Sequence, residues 1–158
     1  MKASVVRVVE ALNALGVEAE IIEFSQSTRT AEEAAAAVGA QVGQIVKSLV
    51  FLAGDQPVLA LVSGANQAST AKLAQVCGAP IRRADADTVR SATGFSIGGV
   101  PPVGHAQSLP TYLDRDLLRF ATIWAAAGTP NAVFSIAPHD LARIANAEVI
   151  DLAVEQSA

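Results

Sequence analysis

Lys47 is the residue whose setting most clearly suggests chemistry, because it lies inside the apolar run of residues 45–52, IVKSLVFL. If the run is a strand, alternation places the lysine on one face with three apolar residues, Ile45, Leu49 and Phe51. An ammonium group in such surroundings is costly unless it reaches water or an anion. Lys47 is therefore a strand-end residue that extends to solvent, an edge-strand lysine that blocks pairing with another chain, or a cation at a pocket mouth that holds a phosphate or a carbonyl oxygen.

A loop rich in glycine and proline, GGVPPVG at residues 98–104, is the second candidate. It lacks the Gly-Lys-Ser/Thr of a phosphate-binding loop, and no strand leads straight into it as a dinucleotide fingerprint requires. The loop is either a turn-rich connection or a rigid element whose backbone groups contact a ligand, and backbone N–H donors of that kind stabilise oxyanions. Its candidate residues, with the histidine that follows, are Gly98, Gly99, Val100, Pro101, Pro102, Gly104 and His105.

The remaining polar residues supply no evident nucleophile and no metal site. His105 either touches a ligand or is solvated, and His139 falls in the first turn of a predicted helix, where exposure is expected. The sequence contains no HExxH, no GxSxG and no carboxylate–histidine spacing typical of a metal centre. Four basic residues form either a modest patch or scattered surface charge: Lys72, Arg82, Arg83 and Arg90.

Composition limits the class of protein. The 158 residues are 51% hydrophobic and 16% charged, which favours a single globular domain that comprises residues 1–158. Aromatic content of 4% and a net charge of −4 give no global basic field for nucleic acid. A single cysteine, Cys77, excludes an intramolecular disulfide and is expected in the core. Arg7 and Glu10 interrupt the first apolar stretch, which argues against a signal peptide, so a soluble cytoplasmic protein is expected.

The elements that must position these residues are predicted from periodicity and capping. Helices are expected at 3–15, from Thr30 to about Gly39, at 69–77, at 85–94 and from Pro138 onward. Strands are expected at 17–24, 45–52, 57–63, 80–85, 111–114, 120–127, 131–137 and 148–153, with hairpin turns at residues 54–55 and 128–130. Strands and helices do not alternate regularly, so we predict a single α+β domain with a mainly antiparallel or mixed sheet.

Three segments together resemble the YbaK/ProX family of aminoacyl-tRNA editing proteins, which are related to the editing insertion domain of prolyl-tRNA synthetase. They are QIVKSLVF at 44–51, TGFSIGGVPPVGH at 93–105 and PHDLARI at 138–144, and the likeness extends over about residues 30–152. The resemblance implies a mixed, strongly curved, barrel-like sheet flanked by helices. It also implies hydrolysis of the ester that joins a wrong amino acid to the terminal ribose of a tRNA, with no metal or organic cofactor.

Carried over by position, the family's lysine is Lys47 and its G-x-x-x-P motif is residues 98–102. The family's Ser-Gly element is Ser63 and Gly64, and Thr30 stands where a segment approaches the pocket. Such esters are already reactive, so a positioned water and oxyanion stabilisation suffice without a covalent nucleophile. We therefore expect Lys47, Gly98 and Gly99 to be catalytic, with the other residues of the loop and the two flanking elements in substrate binding.

The resemblance leaves the substrate and partners open. Family analogy points to tRNA(Pro) carrying Ala, 2-aminobutyrate, Ser, Thr or Cys. Relatives often place basic residues after the loop, whereas this chain has His105-Ala106-Gln107. This departure indicates either delivery of the tRNA by prolyl-tRNA synthetase or an elongation factor, or a different specialisation. No membrane or DNA partner is expected. The alternatives are a non-catalytic module that binds an aminoacyl group or nucleotide, and a structural partner of a synthetase.

Overall fold

The computed structural model describes residues 2–26, 28 and 30–155. The predicted domain range of 1–158 thus includes residue 1 and residues 156–158, which lie outside the described residues, as do residues 27 and 29. Helices and strands are mixed along the described chain, and no helix in it is long and apolar enough to cross a bilayer.

Five α-helices are described: α1 (Ala3–Ala14), α2 (Ala31–Val38), α3 (Thr70–Cys77), α4 (Ala86–Thr93) and α5 (Pro138–Ile144). Two 3₁₀ turns lie at Val42–Gln44 and Arg115–Arg119. The predicted caps are confirmed, since Thr30 Oγ1 accepts the Glu33 N–H at 3.1 Å and Asp85 Oδ1 accepts the Thr88 N–H at 2.8 Å. These caps satisfy backbone donors that a helix start leaves without partners and fix where α2 and α4 begin.

The strands form two sheets. They are β1 (Ile21–Glu23), β2 (Val46–Ala53), β3 (Gln56–Ser63), β4 (Ile81–Arg83), β5 (Thr111–Asp114), β6 (Ile123–Ala126), β7 (Ala132–Ile136) and β8 (Glu148–Ile150). The larger sheet has the order β4-β2-β3-β5-β8, antiparallel among the first three strands and parallel from β3 to β8. The smaller sheet has the order β1-β7-β6 and is antiparallel. The predicted α+β class with a mixed sheet is confirmed, although the described strands do not close into a barrel.

β2 is paired unequally along its two edges. Against β3 it is paired over its whole length, from Val46 opposite Ser63 to Ala53 opposite Gln56, through the predicted turn at residues 54–55. Against β4 it is paired only at residues 51–53. Beyond that, the Ala84 N–H donates to the Val50 carbonyl at 3.3 Å, and the pairing then stops. This edge is therefore open between Val50 and the start of the strand, where an isolated parallel bridge joins Ile45 to Trp124 of the smaller sheet.

Apolar residues cover both faces of the larger sheet. Val46 and Val50 of β2 belong to the main core, which also contains α1, the loop after α4 and the smaller sheet. On the opposite face Phe51 belongs to a second cluster beneath α3, with Val62 of β3. Since successive side chains of a strand point to opposite faces, each residue of β2 is assigned to one of these two environments.

Some predicted boundaries and faces differ from the structure. The strand expected at 17–24 is reduced to Ile21–Glu23, because only these residues pair with β7. The sequence of α3 also predicts that Leu73, Val76 and Cys77 share one buried face. Leu73 is buried and Cys77 packs beside the second cluster, but Val76 is 42% exposed. An eight-residue helix lying on a sheet buries only a narrow stripe, and Val76 falls outside it.

Two leucines near the end of α1 test how this helix contributes to stability. Leu12 is 1% exposed within the main core, whereas Leu15, at the end of the helix, is 41% exposed. We expect Leu12→Ala to lower the free energy of unfolding by about 2–5 kcal/mol, because it removes buried methyl groups and leaves a cavity. Leu15→Ala, the matched control, should change it by no more than about 0.5 kcal/mol. Urea denaturation measures both, and equal losses would contradict this description of the core.

Candidate functional site

A small cavity opens where the free edge of β2 faces the glycine–proline loop. We call it the edge cavity; its volume is about 80 Å³. It is lined by four consecutive residues of β2, by residues near β4 and α4, and by the loop: Ser48, Leu49, Val50, Phe51, Arg83, Ala84, Val89, Ile97, Gly98 and Val100. The cavity exists because β4 stops short of Ser48, so that the loop covers this part of the edge in place of another strand.

The loop is shaped by its glycines and held by its apolar residues. Gly98 has φ +93°, which L side chains rarely adopt, and it is exposed at the cavity. Gly99 packs so tightly that a Cβ there would lie 2.7 Å from the Cα of Thr129, in the turn between β6 and β7. Val100, Pro101 and Pro102 are buried, so they act as anchors of the loop. The Gly99 N–H already donates to the Ser96 carbonyl at 3.0 Å, which leaves Gly98 as the more accessible backbone group.

Side chains from α1 and α4 fix the start of the loop. The buried hydroxyl of Thr93 donates to the Val89 carbonyl at 2.7 Å and accepts the Phe95 N–H at 3.0 Å. Arg7 donates to the Gly94 carbonyl at 2.9 Å, and its guanidinium carbon lies 4.4 Å from the centre of the Phe95 ring. The loop therefore leaves α4 in one defined direction.

His105 stabilises the end of the loop. It is half-buried, and its Nε2 lies 2.6 Å from the Pro101 carbonyl oxygen. Because a carbonyl only accepts, Nε2 carries the proton in the neutral ring. Gly104, at φ +83°, places this segment close to Ala11 of α1. Neither residue lines the edge cavity, so the structure gives His105 a role in loop geometry.

Lys47 lies on the opposite face of β2 from Ser48 and Val50, and it is not among the residues that line the edge cavity. Its Nζ donates to the backbone carbonyl of Asn66. Burial lowers the pKa of Lys47, and the positive charge of Arg83 lowers it further, while the carboxylates of Glu32 and Asp114 act in the opposite direction. The lysine is half-buried, held by one carbonyl, and one residue along the strand from the cavity.

The position of Asn66 depends on Asp114, a fully buried carboxylate at the end of β5. Its Oδ2 accepts the Ser63 N–H at 3.1 Å and the Asn66 side-chain amide at 2.8 Å, and its Oδ1 accepts the Asp116 N–H at 2.9 Å. Asp116 also accepts from the Asn66 amide at 2.8 Å. A buried carboxylate is tolerated only when its oxygens are satisfied in this way. The carboxylate thereby fixes the turn that presents the Asn66 carbonyl to Lys47.

Of the other predicted binding residues, Ser63 and Gly64 hold the chain near Lys47 in place, and Thr30 caps α2. Ser63 donates from its hydroxyl to the Gly43 carbonyl at 2.7 Å, and Gly64 donates its N–H to the Ile45 carbonyl at 2.7 Å. A Cβ at Gly64 would collide with the carbonyl oxygen of Val42, so the chain can pass there only as glycine. Thr30 is exposed as the N-cap of α2. None of the three lines the edge cavity.

A larger groove adjoins the edge cavity and shares Phe51 and Arg83 with it. We call it the Arg83 groove; its volume is about 350 Å³, and it is otherwise lined by the start of α3, the segment before it and Val154. Arg83 is opposite Phe51 in the pairing of β4 with β2, which places it on the Lys47 face. The other basic residues of the possible patch have separate partners: Lys72 with Asp151 at 2.8 Å, Arg82 with Asp55 at 3.8 Å, and Arg90 with the Ser96 hydroxyl at 2.9 Å.

Sequence reasoning missed Ser48, Asn66 and Asp114. A serine in an otherwise apolar strand is itself a signal, but the charge of the adjacent Lys47 is the stronger one. Asn66 and Asp114 are 48 residues apart. Their contact follows from the parallel pairing of β3 with β5, which no local sequence signal predicts. Within the described residues no group of three or more His, Cys, Asp or Glu could hold a metal ion.

Comparison with solved structures identifies the class of fold. A crystal structure described provisionally as a trans-editing enzyme for prolyl-tRNA synthetase superimposes with a TM-score of 0.94 at 49% sequence identity, over 98% of this chain and 99% of that one. This chain therefore has the fold of an editing domain, as the sequence resemblance implied.

The sequence comparisons then give the family. A model of the aminoacyl-tRNA editing domain matches residues 25–144, and the chain belongs to that family. An Enterococcus faecalis protein provisionally named Cys-tRNA(Pro)/Cys-tRNA(Cys) deacylase EbsC is 26% identical over 84% of this chain and 82% of its own length. A proline–tRNA ligase of Solidesulfovibrio magneticus is 36% identical over 74% of this chain, which corresponds to 20% of the ligase.

Asp114→Asn tests the buried carboxylate. The amide retains one acceptor oxygen and places an NH₂ donor against N–H groups, so at least one of the three hydrogen bonds is lost. We expect the free energy of unfolding to fall by about 1–3 kcal/mol. Asp116→Asn is the matched control, because Asp116 is only half-buried and the effect should be smaller. Urea denaturation of the two variants decides, and equal stability of Asp114→Asn and the unmodified protein would contradict this role.

The pH dependence of stability tests the setting of His105. Burial lowers its pKa below the ordinary 6.5, against the opposing effect of the Pro101 carbonyl. As pH falls through 6.5, the unfolded chain takes up a proton at this residue before the folded protein does, so stability is lost until the lower folded pKa is reached. We expect His105→Gln to flatten the curve of unfolding free energy between pH 7.5 and 5, relative to the unmodified protein. A curve that keeps its full slope in His105→Gln would contradict this setting of the residue.

Proposed function

We propose that this protein hydrolyses, in trans, the ester of mischarged tRNA, and that its substrate is tRNA(Pro) carrying a small non-cognate amino acid: Ala, 2-aminobutyrate, Ser, Thr or Cys. The observation that carries the proposal is the edge cavity, lined by the G-x-x-x-P loop and the open edge of β2, with Lys47 one residue away on the other face. Membership of the editing family and the names of its relatives support the reaction class.

The two faces of β2 suit the two ends of an aminoacyl-adenosine. The edge cavity, at about 80 Å³, accepts a side chain of a few non-hydrogen atoms, since a water molecule occupies roughly 30 Å³ in the liquid. The Arg83 groove, at about 350 Å³, has the size of a site for a nucleoside. The ester then crosses the open strand edge between them, with the terminal phosphate towards Lys47 and Arg83.

The open edge supplies backbone groups as well as space. Because the Ala84 N–H donates to the Val50 carbonyl, the even-numbered residues of β2 direct their backbone groups to this edge, and Ser48 is one of them. Together with Gly98 of the loop, this edge can hold the aminoacyl carbonyl or the attacking water. Preorganised backbone donors of this kind stabilise the charge that develops on the carbonyl oxygen.

In the proposed reaction a water oxygen forms a bond to the ester carbonyl carbon, and the carbonyl oxygen becomes an oxyanion. The bond to the ribose oxygen then breaks, the ribose oxygen takes up the proton released by the water, and the free amino acid leaves. The vicinal hydroxyl of the terminal ribose can relay that proton. Lys47 acts as a fixed cation for the phosphate or carbonyl oxygen, and its partner Asn66 keeps it in place.

The source of the tRNA is a separate part of the proposal. With a net charge of −4, the protein has little long-range attraction for tRNA, so prolyl-tRNA synthetase or an elongation factor would deliver the substrate. The same acidity favours the second candidate function, a module that binds the aminoacyl end without hydrolysing it.

Deacylation of a panel of mischarged tRNA(Pro) species separates the two candidates. We expect at least one of the five charged species to lose its amino acid faster than in buffer, with multiple turnover. Lys47→Ala should lower that rate by about 10²–10³-fold, as removal of a positioned electrostatic group does in other hydrolases. Lys2→Ala, at an exposed position before α1, is the matched control and should retain the full rate.

Saturable binding without product from any species would support the binding module and exclude the hydrolase. Full turnover by Lys47→Ala would remove the lysine from the mechanism while leaving the reaction class standing.

A further inference from the structure

We propose that Ser48 determines the substrate side chain: its hydroxyl hydrogen-bonds a hydroxyl or thiol on the β-carbon of the bound amino acid. The inference rests on the proposed function and narrows it. Among the five candidates it selects Ser, Thr and Cys over Ala and 2-aminobutyrate, because only the first three carry such a group.

The first observation is the state of the Ser48 hydroxyl. Within the described part of the chain, Ser48 Oγ is the buried side-chain polar atom that has no hydrogen-bond partner. The buried hydroxyls of Ser63 and Thr93 are, by contrast, each bonded to a backbone carbonyl. Buried polar atoms without partners are uncommon in folded proteins, and each of them calls for an explanation.

The second observation is where this hydroxyl lies. Ser48 alternates with Lys47 and shares its face of β2 with Val46 and Val50, both in the main core. Val50, Val89 and Val100 are core residues that line the edge cavity together with Ser48. The Ser48 side chain is therefore on the face of β2 that carries the valine wall of the cavity, whereas Leu49 and Phe51 line the cavity from the other side of the strand edge.

The two observations together define what the cavity recognises. An apolar wall of three valines accepts the carbon atoms of a small side chain, and the single hydroxyl can accept or donate one hydrogen bond. A hydroxyl or thiol at the β-carbon satisfies that group, whereas a methyl group leaves it unpaired in a site from which water has been displaced. A site that hydrogen-bonds a substrate hydroxyl rejects the analogue without that hydroxyl strongly. An apolar pocket discriminates far less between two substrates that differ by one methylene group.

Ser48 Oγ has almost no surface that water can reach in the structure. A rotation about χ1 therefore brings the hydroxyl to a side chain that enters the cavity. A hydroxyl or thiol on that side chain gives Oγ the partner it lacks, and a methyl group does not.

Rates of deacylation with and without the hydroxyl test the proposal. For the unmodified protein we expect Ser-, Thr- or Cys-tRNA(Pro) to react faster than Ala- and 2-aminobutyryl-tRNA(Pro), and the relative rates of the first three distinguish hydroxyl from thiol. Ser48→Ala should lower this preference by about ten-fold, because the hydroxyl and thiol species lose a hydrogen bond that alanyl-tRNA never makes. Ser135→Ala, in β7 and away from the cavity lining, is the matched control and should keep the preference.

Binding of amide-linked analogues separates failure of this inference from failure of the proposed function. Seryl-, cysteinyl- and alanyl-3′-amino-3′-deoxyadenosine cannot be cleaved as esters, so their affinities report recognition alone. A preference for the seryl or cysteinyl analogue that disappears in Ser48→Ala supports the inference even if no tRNA is deacylated. An unchanged preference in Ser48→Ala, or an unmodified protein that favours alanine or 2-aminobutyrate, overturns it and leaves the hydrolase proposal intact.

Discussion

The incomplete pairing of β2 is the constraint on which the site depends. One edge of this strand is bonded to β3 along all eight residues, so its position and register are fixed. The other edge is bonded to β4 at only three residues and is then left open. An open strand edge normally invites pairing with another chain, and here the glycine–proline loop covers it without forming a ladder. The space that remains between edge and loop is the edge cavity, and its wall is rigid because the hairpin behind it is fully paired.

The loop can cover that edge only because its own conformation is determined elsewhere. Gly99 lies against the backbone of Thr129 in the smaller sheet, and Arg7 of α1 bonds the carbonyl of Gly94. Both contacts come from elements that pack on the main core, so the loop is tied to the same core as Val50 on the opposite cavity wall. On the other face, the buried carboxylate of Asp114 plays the corresponding part for the Asn66 turn. Each side of the site is thus supported by a contact distant in sequence.

This dependence on distant contacts explains what the sequence could reveal. The hairpin of β2 and β3, the caps of α2 and α4 and the α+β class follow from local signals, and the structure confirms them. Period-two alternation also placed Lys47 on a face with Leu49 and Phe51. The Asp114–Asn66 contact, in contrast, arises from a parallel pairing that has no short-range signature in the sequence. The division into two sheets likewise depends on how the β2–β3 and β6–β7 hairpins pack in the folded chain. Ser48 interrupts an apolar run in the sequence, but its significance depends on a buried hydroxyl without a hydrogen-bond partner, which follows only from the three-dimensional packing.

The adjacency of Lys47 and Ser48 follows from the same geometry. Neighbouring residues of a strand point to opposite faces, so one position contributes a cation to one face and the next contributes a hydroxyl to the other. A substrate with a charged end and a small apolar end can engage both only by crossing the strand edge between them, and that is where the edge is open. A slip of one residue in the pairing with β3 would exchange the two faces, burying the lysine in the main core and moving the serine to the face beneath α3. The eight-residue hairpin therefore stabilises the fold and also assigns each side chain to its part of the substrate.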